Sequence, residues 1–163
     1  MRISWPVWGV LVALAGAMVW WAWPSPEKAI RRELSALADA FTYPPNEPPL
    51  NAWSEVNQIC LRLTPDVEIH LDAPGLGRRT VHGREEVRQG LLAWRQRVNG
   101  ARVEFPDIRV LVGPDRTSAV VYVTVQAQVG GEPDLGVQEF KLLFQKDDGR
   151  WRIARAESVQ PLR

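Results

Sequence analysis

The chain has 163 residues, 45% of them hydrophobic and 24% charged, with a formal net charge of +1. That length accommodates one ordinary domain, and the composition is that of a globular chain with a buried core. Basic and acidic residues interleave along the sequence, which argues against nucleic acid as a partner. The single cysteine, Cys60, excludes an internal disulfide or a multi-thiolate metal centre.

Residues 1–24 stand apart. From Trp5 to Trp23 no side chain is charged, and five of the eight tryptophans fall in this run. About 20 apolar residues cross a bilayer as a helix, and indoles favour the headgroup boundary at both ends of such a span. The run therefore predicts a single-pass transmembrane anchor over residues 5–23, with residues 25–163 as the folded domain. Ala15 and Ala17 carry the spacing of a signal-peptide cleavage site, but cleavage there would leave MVWWAW at the new terminus. Arg2 favours a cytoplasmic N-terminus, whereas Lys28, Arg31 and Arg32 pull the other way. We place the domain on the extracytoplasmic face, since an N-terminal anchor commonly acts as an export signal.

Ser25, Pro26 and Glu27 start a helix in which Ile30, Leu34, Leu37, Ala38 and Phe41 recur at helical spacing. The YPPNEPP loop stops it. A second helix is expected to carry Leu50, Trp53, Val56, Cys60 and Leu63 along one face, ending at Thr64-Pro65. In DVEIHLD, Val67, Ile69 and Leu71 alternate with Glu68 and His70, the pattern of a half-buried strand. RTVH returns, and Gly83 opens a third helix with Val87, Leu91, Trp94 and Val98 as its stripe, ending near Asn99-Gly100.

The remainder reads as strand. Val103 and Phe105 share one parity and Ile108, Val110 and Val112 the other, so Pro106-Asp107 must absorb one residue as a bulge. A long strand follows with Ala119, Val121, Val123, Val125 and Ala127 on one face, then a strand of Phe140, Leu142 and Phe144. Asp148-Gly149 predicts a tight hairpin into WRIARAESV. Helices on one face of a curved antiparallel sheet make an α+β domain.

If that hairpin continues without interruption, Phe144 faces Ile153, Leu142 faces Arg155 and Phe140 faces Glu157. Arg155 and Glu157 then share the apolar face, as polar anchors in a pocket, as a partly buried ion pair or at a sheet end open to water, since an isolated buried charge is very costly. His70 lies on the polar face of its strand, and His82 precedes the third helix. No metal-ligand spacing such as HxxxH or HxH is present, so neither a metal nor another cofactor is expected. No serine, threonine or cysteine has a nucleophile motif.

Three passages carry a likeness to a known family: TPDVEIHLD as a first strand, HGREEVRQGLLAW as a Gly-initiated third helix, and DDGRWRIARAESV as a last strand. Together, over about residues 26–160, they resemble the NTF2-like superfamily, which includes SnoaL-like cyclases and ketosteroid isomerases. A cystatin-like domain or a lipocalin fragment would share parts of this pattern. The resemblance implies a cone with an internal pocket, in domains that serve as enzymes, carriers or dimerising modules. Ketosteroid isomerases use a tyrosine, a carboxylate base and a protonated aspartate. Here Tyr43 and Asp66 fall only roughly at the first two positions, and no third acid appears in the sheet.

The resulting expectation is a membrane-tethered, non-catalytic NTF2-like domain at the cell envelope that binds a small apolar ligand or a partner protein. Its candidate ligand-binding residues are Arg155, Glu157, Tyr43 and His70. A homodimer through the sheet face of Val120, Tyr122, Thr124 and Gln126 is a further expectation. The alternatives are an isomerase, dehydratase or cyclase acting on a hydrophobic molecule, and a structural subunit of an envelope or secretion complex.

Overall fold

The computed structural model describes residues 12–14, 25–73, 77–131 and 135–159. The expected anchor lies outside the described residues, apart from residues 12–14, which are helical. Among the described residues no helix is long and apolar enough to cross a membrane.

Helix α1 spans Pro26–Phe41, with Ser25 Oγ accepting from the Lys28 N–H at 3.3 Å as its cap. Ile30, Leu34, Leu37 and Ala40 form its buried face, and Ala38 is only half-buried. Helix α2 spans Pro49–Leu61. Its buried residues are Val56, Ile59 and Cys60, whereas Leu50 and Trp53 are exposed. The expected stripe thus holds only for the second half of the helix. Leu63 already belongs to strand β1 (Leu63–Ala73). Strand β2 (Gly77–His82) and helix α3 (Gly83–Arg97) follow, and then the long strands β3 (Ala101–Val112), β4 (Ser118–Val129), β5 (Gly136–Asp147) and β6 (Arg150–Val159).

The six strands form one sheet in the order β2-β1-β6-β5-β4-β3. All neighbours are antiparallel except β1 and β6, which run parallel. The sheet is therefore mixed rather than antiparallel throughout. Alternation within a strand reports which face it buries, not the direction of a partner about 90 residues away in the chain.

Two bulges bend the long strands. In β3 the register shifts between Glu104 and Asp107, at the Pro106-Asp107 step anticipated from the parity of the apolar residues. In the β5–β6 hairpin Asp148 and Gly149 both have positive φ, as a two-residue I′ turn requires, and Phe144 faces Ile153 as expected. The next step departs from the uninterrupted register. Leu143 pairs with Arg155, Leu142 with Ala156 and Lys141 with Glu157, so Ala154 is an extra residue. Because side chains alternate with a period of two, this insertion turns Arg155 and Glu157 away from the helices and puts Ala156 in the core.

The core lies between the three helices and the inward face of the sheet, with Ile30, Leu34, Val56, Val67, Val121 and Phe144 essentially inaccessible. Each such side chain contributes about 1.5–3 kcal/mol through burial. Exposure rises along the inward face of β4. Ala119, Val121 and Val123 are buried, while Val125 and Ala127 are only half-buried. The cone is packed solid at the end where α1 begins and hollow at the other.

Candidate functional site

The hollow end is a cavity of about 460 Å³. Ile69 and Leu71 on β1, Val125 and Ala127 on β4, Phe140 on β5 and Leu91 and Trp94 on α3 contribute to its wall. Strands β1, β3, β4 and β5 deliver alternate apolar residues to the interior, and the bulge after Ile153 delivers Ala156, whose small side chain leaves space. Among the described residues, none in the wall carries an ionisable group. Such a surface recognises shape and apolar area. A larger groove of about 780 Å³ lies outside the cone, between Asp39, Tyr43, Pro45 and residues 100–104.

Of the four residues singled out from sequence, three come together on the opposite face of the sheet. Arg155 Nη2 donates to Glu68 Oε2 at 2.8 Å, and Arg155 Nε lies 3.5 Å from Glu157 Oε1. His70 Nε2 is 3.5 Å from the same Glu68 carboxylate, and His82 Nδ1 is 4.0 Å from it. His70 Nδ1 meets Thr80 Oγ1 at 3.2 Å across the β1–β2 pair. Hydrogen bonding from Arg155, and next from His70, holds the Glu68 carboxyl below its ordinary pKa. Arg155 and Glu157 are thus neither pocket anchors nor a buried pair. Their side chains are 47% and 38% exposed, so the cluster is a solvated surface array.

Tyr43 is buried, but it does not line the cavity. Its hydroxyl donates to the Val98 carbonyl at 3.2 Å, and its ring meets Trp94 edge-on at 5.7 Å. The Arg95 guanidinium stacks on that ring at 4.3 Å. Burial pushes the Tyr43 phenol above its ordinary pKa. This side chain supports the cavity wall from behind, through Trp94.

Sequence reasoning missed two residues. Glu68 is the hub of the surface array, and the polar parity it shares with His70 was its only signal. Arg95 is buried, pairs with Glu47 at 2.7 Å and also donates to the Ala40 carbonyl. It pins the proline-rich loop to α3, although a basic residue near a helix C-terminus ordinarily reads as solvated. Cys60 is buried within α2, and burial raises its thiol pKa. Among the described residues no group of three or more His, Cys, Asp or Glu is placed to hold a metal ion.

With the cone and its cavity defined, comparison with known proteins settles the family. The model of the SnoaL-like domain matches residues 69–161, more than half of the chain. The chain belongs to the SnoaL-like family. No curated protein matches it in sequence. Among solved structures, this SnoaL-like domain is similar to a proposed scytalone dehydratase from Novosphingobium aromaticivorans. The two are 18% identical over 83% of this chain and 84% of that one, with a TM-score of 0.63. It is also similar to an NTF2-like protein of unknown function from Pseudomonas putida, at 11% identity over 82% and 85% of the two chains and a TM-score of 0.63. A proposed dehydratase of the NTF2-like family from Streptomyces avermitilis is 16% identical over 85% of this chain and 97% of that one, with a TM-score of 0.62. At these identities the likeness is one of fold, and fold alone does not transfer an activity.

Proposed function

We propose that this SnoaL-like domain is a non-catalytic binding module for a small apolar molecule, held at a membrane by residues 5–23. The observation that carries the reading is the cavity: about 460 Å³, with no ionisable side chain among the described residues of its wall. That volume falls within the roughly 300–1,000 Å³ typical of small-molecule sites. The apolar lining favours an apolar occupant. Acid–base chemistry inside the cone would need a polar group there. Arg155, Glu157 and His70, the groups an enzymatic reading would use, stand on the far side of the sheet. The tether is supported by the uncharged, tryptophan-flanked run before residue 24.

Titration of the full chain in nanodiscs with Nile red tests the binding reading, alongside an Ala127→Phe variant that fills the hollow end. Saturable binding by the parent chain, weakened at least tenfold in the variant, is the expected result. Equal dye uptake by both chains would overturn the reading.

A further inference from the structure

Resting on the tether proposed above, we infer that the packed end of the cone docks on the headgroups of an anionic bilayer, so that the cavity opens away from the membrane. Helix α1 runs alongside β3 in the opposite direction. Thr42, just after α1, accepts from the Val103 N–H at 3.0 Å, and Arg31 donates to the Ile108 carbonyl at 3.0 Å. Continuing five residues back along the helix covers about 7.5 Å, or roughly two strand residues, which brings Pro26 level with Val110 and Leu111. The start of α1 therefore shares one end of the domain with the β3–β4 turn. The Lys146 N–H donates to the Thr117 carbonyl at 2.7 Å and so brings the β5–β6 hairpin to that same end.

The uncharged run ends at Trp23, and Ser25 already caps α1. With only Pro24 between them, the domain has no linker in which to swing free, because two or three extended residues span at most about 10 Å. Whatever surrounds the start of α1 must sit at the headgroups. That surroundings is suited to the position. Leu111 and Val112 are 53% and 36% exposed at the end of β3. Lys28, Arg32, Arg116, Lys146 and Arg150 are exposed around them. Of the acids at this end, Glu27 is paired with Arg31 at 3.0 Å, Asp115 accepts from the Thr117 and Ser118 N–H groups, Asp147 pairs with Arg152, and Asp148 is exposed at the hairpin turn, so the basic residues outnumber the acids without being free of them. Exposed basic residues beside a span are attracted to anionic headgroups. The hollow end, bounded by Leu71 and Ala127, lies at the opposite pole, so a ligand enters from the aqueous side.

The test uses the full chain in phosphatidylcholine nanodiscs made with and without phosphatidylglycerol. A nitroxide is placed at Leu111→Cys or at Arg79→Cys, each in a Cys60→Ala background. Docking predicts that the label at 111 is several-fold less accessible to an aqueous nickel reagent than the label at 79. It also predicts that Arg116→Glu with Arg150→Glu removes most of that protection in the anionic discs. Hydrogen exchange of the unsubstituted chain reads the same surface, and should slow at residues 113–117 when phosphatidylglycerol is included. A label at 111 as accessible as the one at 79, in a chain that stays with the disc, would overturn the docking and leave the tether standing. A chain that elutes apart from the discs would overturn both.

Discussion

Arg155 donates to Glu68 at 2.8 Å across the single parallel seam of the sheet, and the next residue along, Ala156, faces the cavity from the other side of the same strand. Charge and hollow are thus separated by the thickness of one strand. The ion pair holds β1 against β6 without placing an ionisable group in the cone.

The depressed Glu68 pKa carries a sign. A carboxyl whose pKa is lower when folded contributes stability above its unfolded pKa and loses it as pH falls through the folded value. Hydrogen bonds from Arg155 and then His70 set this direction. Glu68→Gln should therefore flatten the acid limb of a plot of melting temperature against pH, below the ordinary carboxylate range. Parallel curves for variant and parent would refute the assignment.

The bulge at Ala154 predicts an asymmetry between two deletions in one strand. Removing Ala154 restores simple alternation and leaves Arg155 outside and Ala156 inside, so the domain should stay folded. Removing Arg152 instead sets Ile153 opposite Gln145 and puts Ala154 in its core position. That amounts to an isoleucine-to-alanine truncation, costing about 2–5 kcal/mol. Urea denaturation of the two deletions reads the difference, and equal losses would argue against the register.

Arg95 and Glu47 form a pair whose side chains are 2% and 9% exposed. Arg95→Ala leaves a buried carboxylate without its cation, and the expected loss is about 3–5 kcal/mol. Arg95→Met combined with Glu47→Gln should recover part of it, because both charges then go together. A single-variant loss under about 1 kcal/mol by chemical denaturation would mean that the pair behaves as an exposed one.

Gly100 has φ +91°, and a Cβ there would lie 3.0 Å from the backbone nitrogen of Pro45. Gly100→Ala should cost about 1–3 kcal/mol through strain at that φ. It should also loosen the contact between the proline-rich loop and the start of β3. A thermal melt checks the first effect, and quenching of Trp94 fluorescence by acrylamide checks the second.

Periodicity located the elements because each helix and strand buries one face, and the rule from which it follows is local. The long run from Ala119 to Ala127 and the I′ turn at Asp148-Gly149 were legible for this reason. So was the bulge at Pro106, since the apolar parity changes across it. The Ala154 bulge left no such trace. Alanine is as acceptable inside as outside, so WRIARAESV can be threaded in either register, and the error reversed the facing of Arg155 and Glu157. The Glu68 array and the Arg95 pair were equally hidden, because they join residues about 50 to 90 positions apart in the chain.

The place of β6 also bears on how the protein is made. It is the last described strand, yet it lies in the middle of the sheet, between β1 and β5. During synthesis β1 and β2 can form a hairpin, but their other edge, with Val67 and Ile69, stays unpaired until Arg150–Val159 has emerged. Contacts of such long separation form slowly, and an open strand edge invites association with other chains. The nascent domain therefore passes its most aggregation-prone interval with nearly all of its residues already synthesised, and a chaperone that shields a sheet edge would act on it late.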